Sequence, residues 1–527
     1  MRSWEPRCDT NDRIECIQSR SLMMANPLYD TLFGQHHGRA TDFLQLQDGQ
    51  TITHAAFLAM AAQYANLLTQ LGLEPGDRAA VQIQKSPQAL AVYAACVQAG
   101  IVFLPLNTAY TADEVTYFVE NSGARILLCD QRMAGALKPV ADACNAVLET
   151  LNEDGSGAFH AKAEALPETF KTVARTKDDL AAFLYTSGTT GRSKGAMLTQ
   201  GNLLSNAQTL VSEWKFTSKD VLLHTLPIFH THGLFVASNI TLLAGGQMIF
   251  LPKFDLDVVI EQMPRATTMM GVPTFYTRLL GDARFTRDLA HHMRLFVSGS
   301  APLLAETHVE FEQRTGHKIL ERYGMTETNM NTSNPYAGER RAGTVGFPLP
   351  GVEIKITDSK TGETLPNGEI GEIEVRGPNV FKGYWQMPEK TAEELRADGF
   401  FITGDLGQFD EDGYLHIVGR NKDLIISGGY NIYPKEIELL LDQEEGVLES
   451  AVIGVPHPDF GETVVGIIVA KGDSKPDLAA IKSNIGTSLA RFKQPKELII
   501  LPELPRNTMG KVQKKALRDQ FGGMFSS

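Results

Sequence analysis

The chain has 527 residues, too long for one ordinary domain, and 43% of them are apolar, enough to bury sizeable cores. Its 49 basic against 62 acidic residues leave a net charge of −13, which excludes a general nucleic-acid or anionic-membrane binder, since either needs a positive surface. The five cysteines, Cys8, Cys16, Cys96, Cys129 and Cys144, are odd in number and lack C-x-x-C spacing, so neither a disulfide framework nor a zinc site is implied.

In chain order, residues 1–23 mix Arg2, Arg7, Arg13 and Arg20 with Glu5, Asp9, Asp12 and Glu15, unlike an acid-poor transit peptide. They are expected to be a loosely ordered extension before Met23 or Met24. Nothing reads as a signal peptide, and the most apolar run, 89–106, is broken by Gln98, Gly100 and Pro105 into helix, turn and buried strand rather than a membrane span. A cytoplasmic location follows as the expectation, with the mitochondrial matrix as the weaker alternative.

From residue 25 to 300, short apolar or β-branched runs at 79–83, 101–106, 125–129, 221–226, 248–251, 268–272 and 295–297 alternate with helical patterns, which predicts α/β layering with buried strands. A helix is expected to follow the glycine-rich stretch near residue 190, because Leu203, Leu204, Ala207, Leu210 and Val211 recur at helical spacing after Asn202. After residue 340, short strands at 352–357, 369–376 and 414–418 separated by turn residues predict a small β-rich lobe. The fold class is therefore α/β. A large N-terminal domain over 24–421, with 340–421 its β-rich lobe, precedes a compact mobile α/β domain over 422–527.

Four segments bear chemistry. In Tyr185-Thr-Ser-Gly-Thr-Thr-Gly-Arg-Ser-Lys-Gly195, glycines let backbone N–H groups turn toward an anion, hydroxyls add donors, and Lys194 adds charge, a combination that suits a polyphosphate. It is not a Walker A loop, whose Gly-Lys-Ser/Thr ending is absent. In Tyr323-Gly-Met-Thr-Glu-Thr328, a carboxylate beside phosphates makes sense chiefly as a Mg²⁺ ligand. Thr403-Gly-Asp405 alone is a common turn, but Gly419-Arg420 follows it. Lys511 sits in Pro505-Arg-Asn-Thr-Met-Gly-Lys511, where a positive charge would offset repulsion between two anions.

These segments, in this order and spanning residues 25–520, resemble the signatures of the adenylate-forming superfamily of acyl-CoA synthetases, peptide-synthetase adenylation domains and luciferases. The resemblance implies an acid–CoA ligase that forms an acyl-adenylate from ATP with Mg²⁺ and then transfers the acyl group to CoA. It implies catalytic roles for Lys511, Thr326, Glu327 and His230, and metal ligation by Glu327 and Thr190. Nucleotide contacts fall to Thr186, Ser187, Gly188, Thr189, Thr190, Gly191, Lys194, Ser300, Ala301, Glu321, Tyr323, Gly324, Met325, Asp405 and Arg420. The same resemblance implies a hinge at Lys422 and a CoA channel at Ser427, Gly428, Gly429 and Tyr430.

For the acid, Arg278 is a lone cation on a segment that the family lays along the acyl pocket, and a second carboxylate needs a fork of donors. With His230, Ser300 and the Arg322–Asn329 wall, the pocket resembles that of the malonyl-CoA synthetases, implying malonate, with methylmalonate a further possibility. Arg278 could also face solvent, and His230 could be a satisfied core histidine. A short-chain or aromatic monocarboxylate, or a non-catalytic nucleotide-binding relative, are the competing expectations. Neither a nucleic-acid nor a membrane partner is expected, and the oligomeric state is open.

Overall fold

The computed structural model describes residues 25–186, 193–428, 430–472, 474–507 and 510–525. The extension expected at 1–23 lies outside them, as do Ser187, Gly188, Thr189, Thr190, Gly191 and Gly429. Four sheets carry the fold.

A six-stranded sheet runs Val147–Thr150, Ile126–Cys129, Arg78–Gln82, Val102–Pro105, Leu180–Thr186 and Lys194–Thr199 in spatial order, parallel except for the last pair. A nine-stranded sheet has a parallel centre of Leu320–Met325, Leu295–Ser298, Thr268–Gly271, Val221–His224 and Gln247–Phe250. These strands are buried on both faces, which is why they read as unbroken apolar runs.

Between the two sheets lies the helix Pro87–Ala99. Ser86 caps it by accepting from Ala89 N–H, Pro87 opens it, and Gly100 closes it at φ +72. A Cβ on Gly100 would stand 2.9 Å from the Arg175 side chain, so the position needs glycine for space as well as backbone. One continuous apolar cluster extends from Val81 and Phe103 through Tyr93 and Phe235 to Leu222 and Phe250, joining both sheets. That shared core holds the carboxyl ends of the two parallel sheets in fixed relation, and ligand clefts form beyond such ends.

The remaining sheets are antiparallel or mixed. Glu353–Thr357, Gly371–Arg376, Phe401–Phe409 and Leu415–Arg420 form a four-stranded meander at the expected β-rich positions. Beyond it, Ile425–Ser427, Tyr430–Ile432, Val447–His457, Gly461–Ala470 and Glu497–Leu501 form a five-stranded sheet with its own apolar clusters. Among the described residues, none of its strands pairs with an earlier one. No helix among the described residues is long and apolar enough to cross a membrane.

The helix expected after the glycine-rich loop is Gln200–Glu213, which carries Leu203 to Val211, but one strand went unseen in the sequence: the loop joins Leu180–Thr186 to the antiparallel strand Lys194–Thr199, and the helix follows that. Thr199 caps the helix with Asn202 in a reciprocal box.

Candidate active site

The glycine-rich loop is anchored at both feet. At one, the Thr186 hydroxyl donates to Glu327 Oε1 at 3.0 Å. At the other, the Lys194 ammonium lies 3.1 Å from both oxygens of Glu394 and 4.1 Å from the Tyr384 ring centroid. Tyr384 joins the feet, since its hydroxyl donates to Glu394 Oε2 at 2.7 Å and lies 3.2 Å from Glu327 Oε1. Lys194 therefore has a carboxylate counter-ion already. Tyr384 and Glu394 lie outside every motif in the sequence, so only tertiary structure brings them here.

Glu327 stands in a tight turn between Leu320–Met325 and Asn329–Ser333, not at a helix start. A Cβ on Gly324 would fall 2.0 Å from the Asn329 carbonyl, so this approach of the two strands requires glycine. Met325 and Thr326 are half-buried beside it, and the Glu327 carboxylate is buried. Both hydrogen-bond donors reach Oε1, and none among the described residues reaches Oε2. No cluster of three acidic, histidine or cysteine ligands occurs among the described residues. One carboxylate with a free oxygen suits Mg²⁺, which keeps waters and completes its shell with substrate phosphates.

Strand alternation sorts the next residues. Tyr323 faces the β-rich lobe, packs with Ile356, Ile373, Val375 and Leu415, and donates from its hydroxyl to Asp405 Oδ2 at 2.7 Å. Asp405 also forms an ion pair with Arg420 at 3.2 Å, and the two are register partners across adjacent strands. Glu321 does not join this group: its buried carboxyl is 3.3 Å from His308 Nδ1, and burial raises its pKa. The expected nucleotide role for its side chain is therefore not supported by where it points.

Arg322 projects to the opposite side of that strand. Its guanidinium lies against Gly299, where a Cβ would come within 2.3 Å of Cζ. It is fully enclosed, yet Nε and Nη2 find no hydrogen-bond partner among the described residues, and burial lowers its pKa. Close by, His232 Nδ1 is 3.1 Å from Ser300 Oγ, while His232 Nε2 and His230 Nε2 are buried without partners. Burial, followed by the Lys511 charge, pushes His230 down to about 4, and His232 is held well below the usual imidazole range by burial and Arg322. Both rings are neutral at physiological pH. Arg278, in contrast, is exposed on the helix Pro273–Leu280, without a partner among the described residues; it is one turn beyond Thr274. Arg278 thus faces solvent, the alternative left open from the sequence, and the enclosed cation here is Arg322.

Ser300 holds φ +73, a left-handed conformation that costs a non-glycine residue roughly 1 kcal/mol. Ser300→Gly is expected to leave thermal stability nearly unchanged, because relief of strain offsets the lost hydrogen bond to His232. Acid-dependent pyrophosphate release should nevertheless show a raised KM for the acid. Ala301, next to it, is half-buried.

Lys511 enters from the C-terminal sheet side. A Cβ on Gly510 would stand 3.8 Å from the Thr274 side chain, and a Lys471–Glu306 ion pair at 3.6 Å spans the same junction. Burial lowers the Lys511 pKa to about 8, with Arg420 and Arg322 acting in the same direction and Asp405 and Glu327 opposing. The lysine therefore lies within electrostatic reach of Arg420, Asp405, Arg322 and Glu327. Lys422 is exposed, and Asp423 just after it pairs with Arg518 at 2.8 Å. In the hairpin beyond, Ser427 is buried, Gly428 has φ +57, and exposed Tyr430 stacks on Phe492 with centroids 4.5 Å apart.

A cleft gathering a glycine-rich hairpin, a buried acid, a carboxylate–arginine pair and a lysine from the C-terminal sheet side defines a nucleotide-dependent, AMP-forming activating enzyme. The model of the AMP-binding enzyme family matches residues 33–385, and that of the AMP-binding enzyme C-terminal domain matches 436–511. The chain belongs to the AMP-binding enzyme family. A malonate–CoA ligase of Arabidopsis thaliana is 38% identical over 452 residues, which cover 80% of this chain and 74% of the relative. The crystal structure of ATP-bound MatB from Rhodopseudomonas palustris is similar at 55% identity with a TM-score of 0.94, covering 95% of this chain and all of that one. The apo structure of that protein, at the same identity and coverage, gives a TM-score of 0.83.

Proposed function

We propose that malonate is the acid activated by this ATP-dependent, AMP-forming acid–CoA ligase. The observation that carries the choice is Arg322, an enclosed cation whose Nε and Nη2 have no partner. An unpaired buried charge costs several kcal/mol, so its retention points to an anion that arrives with the substrate. Ser300 and His232 add neutral polar groups beside it, and Arg278 offers a second fork at the exposed edge. A simple fatty acid has no group for this pocket. The relatives named for malonate add weight to the reading.

In the mechanism, Arg322, with Ser300 and Arg278, binds the far carboxylate, so that the near one is aligned for attack on the α-phosphorus of ATP. Asp405 and Arg420 hold the ribose region, Tyr323 lies against the base, and Thr326 donates toward the α-phosphate. Glu327 and Thr190 would hold Mg²⁺, which would supply charge neutralisation to the triphosphate when bound. Lys511 bridges the two anions and stabilises charge as the carboxylate oxygen bonds to phosphorus and pyrophosphate departs. The C-terminal domain then turns about Lys422, withdrawing Lys511 and bringing the Ser427–Tyr430 hairpin to the site. The CoA thiol attacks the acyl carbon, and AMP leaves. The higher TM-score against the ATP-bound relative supports assigning the present arrangement to the first half-reaction.

The test is a coupled assay of AMP formation with ATP, CoA and C2 to C8 mono- and dicarboxylates, methylmalonate included. Malonate should give the highest kcat/KM. A preferred monocarboxylate would remove the second-carboxylate assignment.

A further inference from the structure

Lys85 follows the strand Arg78–Gln82 of the six-stranded sheet, and His224 ends the strand Val221–His224 of the nine-stranded sheet. The Lys85 ammonium lies 2.9 Å from His224 Nδ1 and 2.8 Å from the His224 carbonyl oxygen, and 4.3 Å from the Phe250 ring centroid. Its residue is 7% exposed, and no carboxylate pairs with it among the described residues. Burial lowers its pKa well below that of a free lysine. A methionine or leucine would fill such a site at lower cost, so packing alone does not account for an amine.

The far side of His224 shows what the amine holds. His224 Nε2 lies 2.9 Å from the Gly233 carbonyl oxygen and 3.1 Å from Ser238 Oγ, and the Ser238 hydroxyl donates to the same carbonyl at 2.9 Å. A carbonyl only accepts, so Nε2 carries the proton, and bare Nδ1 accepts from Lys85. Gly233 and Ser238 belong to the π-helical turn His232–Ser238, a rare form found mostly at functional sites. Its first residue, His232, meets Ser300 in the acid pocket, and the Leu234 N–H donates to the His230 carbonyl at 3.0 Å.

We propose that Lys85 is a positioning residue for the acid pocket: through His224 it ties the six-stranded sheet to the π-helical turn and so fixes His230 and His232 opposite Ser300. This goes beyond the choice of malonate and rests only on the acid-activating reading of the cleft. Among the described residues Lys85 is bonded to His224 alone, so its loss should register on one substrate alone.

The test uses the full chain with Lys85→Met, which keeps the bulk and removes the donors. In ATP–pyrophosphate exchange, KM for the acid is expected to rise about tenfold while KM for ATP stays within about twofold. Backbone amides of residues 228–238 should exchange hydrogen faster than in the parent protein, with those of 102–129 unchanged. A parallel rise of both Michaelis constants, or no change in either, overturns the proposal. Should Lys85→Met not fold, Ser238→Ala reads the other side of the imidazole, with an expected rise of about threefold in KM for the acid and ATP unaffected; no rise overturns it equally. The parent protein is first assayed on the acid panel and its best acid used throughout. A failed malonate assignment then shows in the parent, and a failed positioning role only in the variants.

Discussion

Lys511→Ala is expected to slow acyl-adenylate formation by about 10²–10³-fold, the scale of removing one preorganised electrostatic contact, yet to leave thioester formation from supplied acyl-adenylate within about a few fold. The division follows from the proposed turn of the C-terminal domain: Lys511 lies here within electrostatic reach of Arg420, Asp405, Arg322 and Glu327, and that turn would carry it away from them. Single-turnover assays of each half-reaction check it, and equal losses in both would contradict the division. A pH profile sharpens the test. The lysine must be charged to bridge two anions; with its pKa lowered to about 8, the charged form is complete below neutrality and lost as pH rises through that value. The kcat/KM of adenylation should therefore fall on its alkaline side near pH 8. Lys511→Arg, whose guanidinium keeps its proton, should lack that fall even if slower. His230, already neutral above about pH 4, adds no limb in the same range.

Replacing Arg322 should have the second large effect, and one in two opposite directions. Arg322→Met removes a cation meeting a desolvated carboxylate, which is expected to weaken malonate binding by roughly 2–5 kcal/mol. The same change removes a buried charge that has no partner in the absence of substrate, so unfolding stability should rise by about 1 kcal/mol or more. Calorimetric titration with malonate and thermal unfolding measure the two quantities. A variant both less stable and unchanged in malonate affinity would show that Arg322 is an ordinary structural arginine.

Sequence patterns reached much of this fold because the parallel strands are buried on both faces and announce themselves as apolar runs bounded by turn residues. The strands at 78–82, 102–105, 126–129 and 268–271 lie within a residue or two of where those runs place them. Periodicity failed beside the glycine-rich loop, where the six-residue strand Lys194–Thr199 is too short and mixed to stand out against the strong helical pattern after it. Sequence order brought the right motifs together, but could not tell which face of a strand each residue occupies. Arg278 drew notice as the cation among apolar neighbours, whereas Arg322 was masked by the motif it begins. Glu321, two residues before Tyr323, shares its strand face yet ends against His308. Tyr384 and Glu394 carried no local signal, since their role exists only when the loop's two feet are brought to Glu327.

The gathering of Arg322, Arg420 and Lys511 around one cleft has a kinetic consequence for a protein with a net charge of −13. From afar the molecule repels its own anionic substrates, and only within roughly 8 Å, the screening distance at physiological ionic strength, does the local cationic field prevail. Cellular salt thus works in the enzyme's favour: it mutes the distant repulsion while leaving the enclosed attraction largely intact, so capture depends on the cleft rather than on the surface at large.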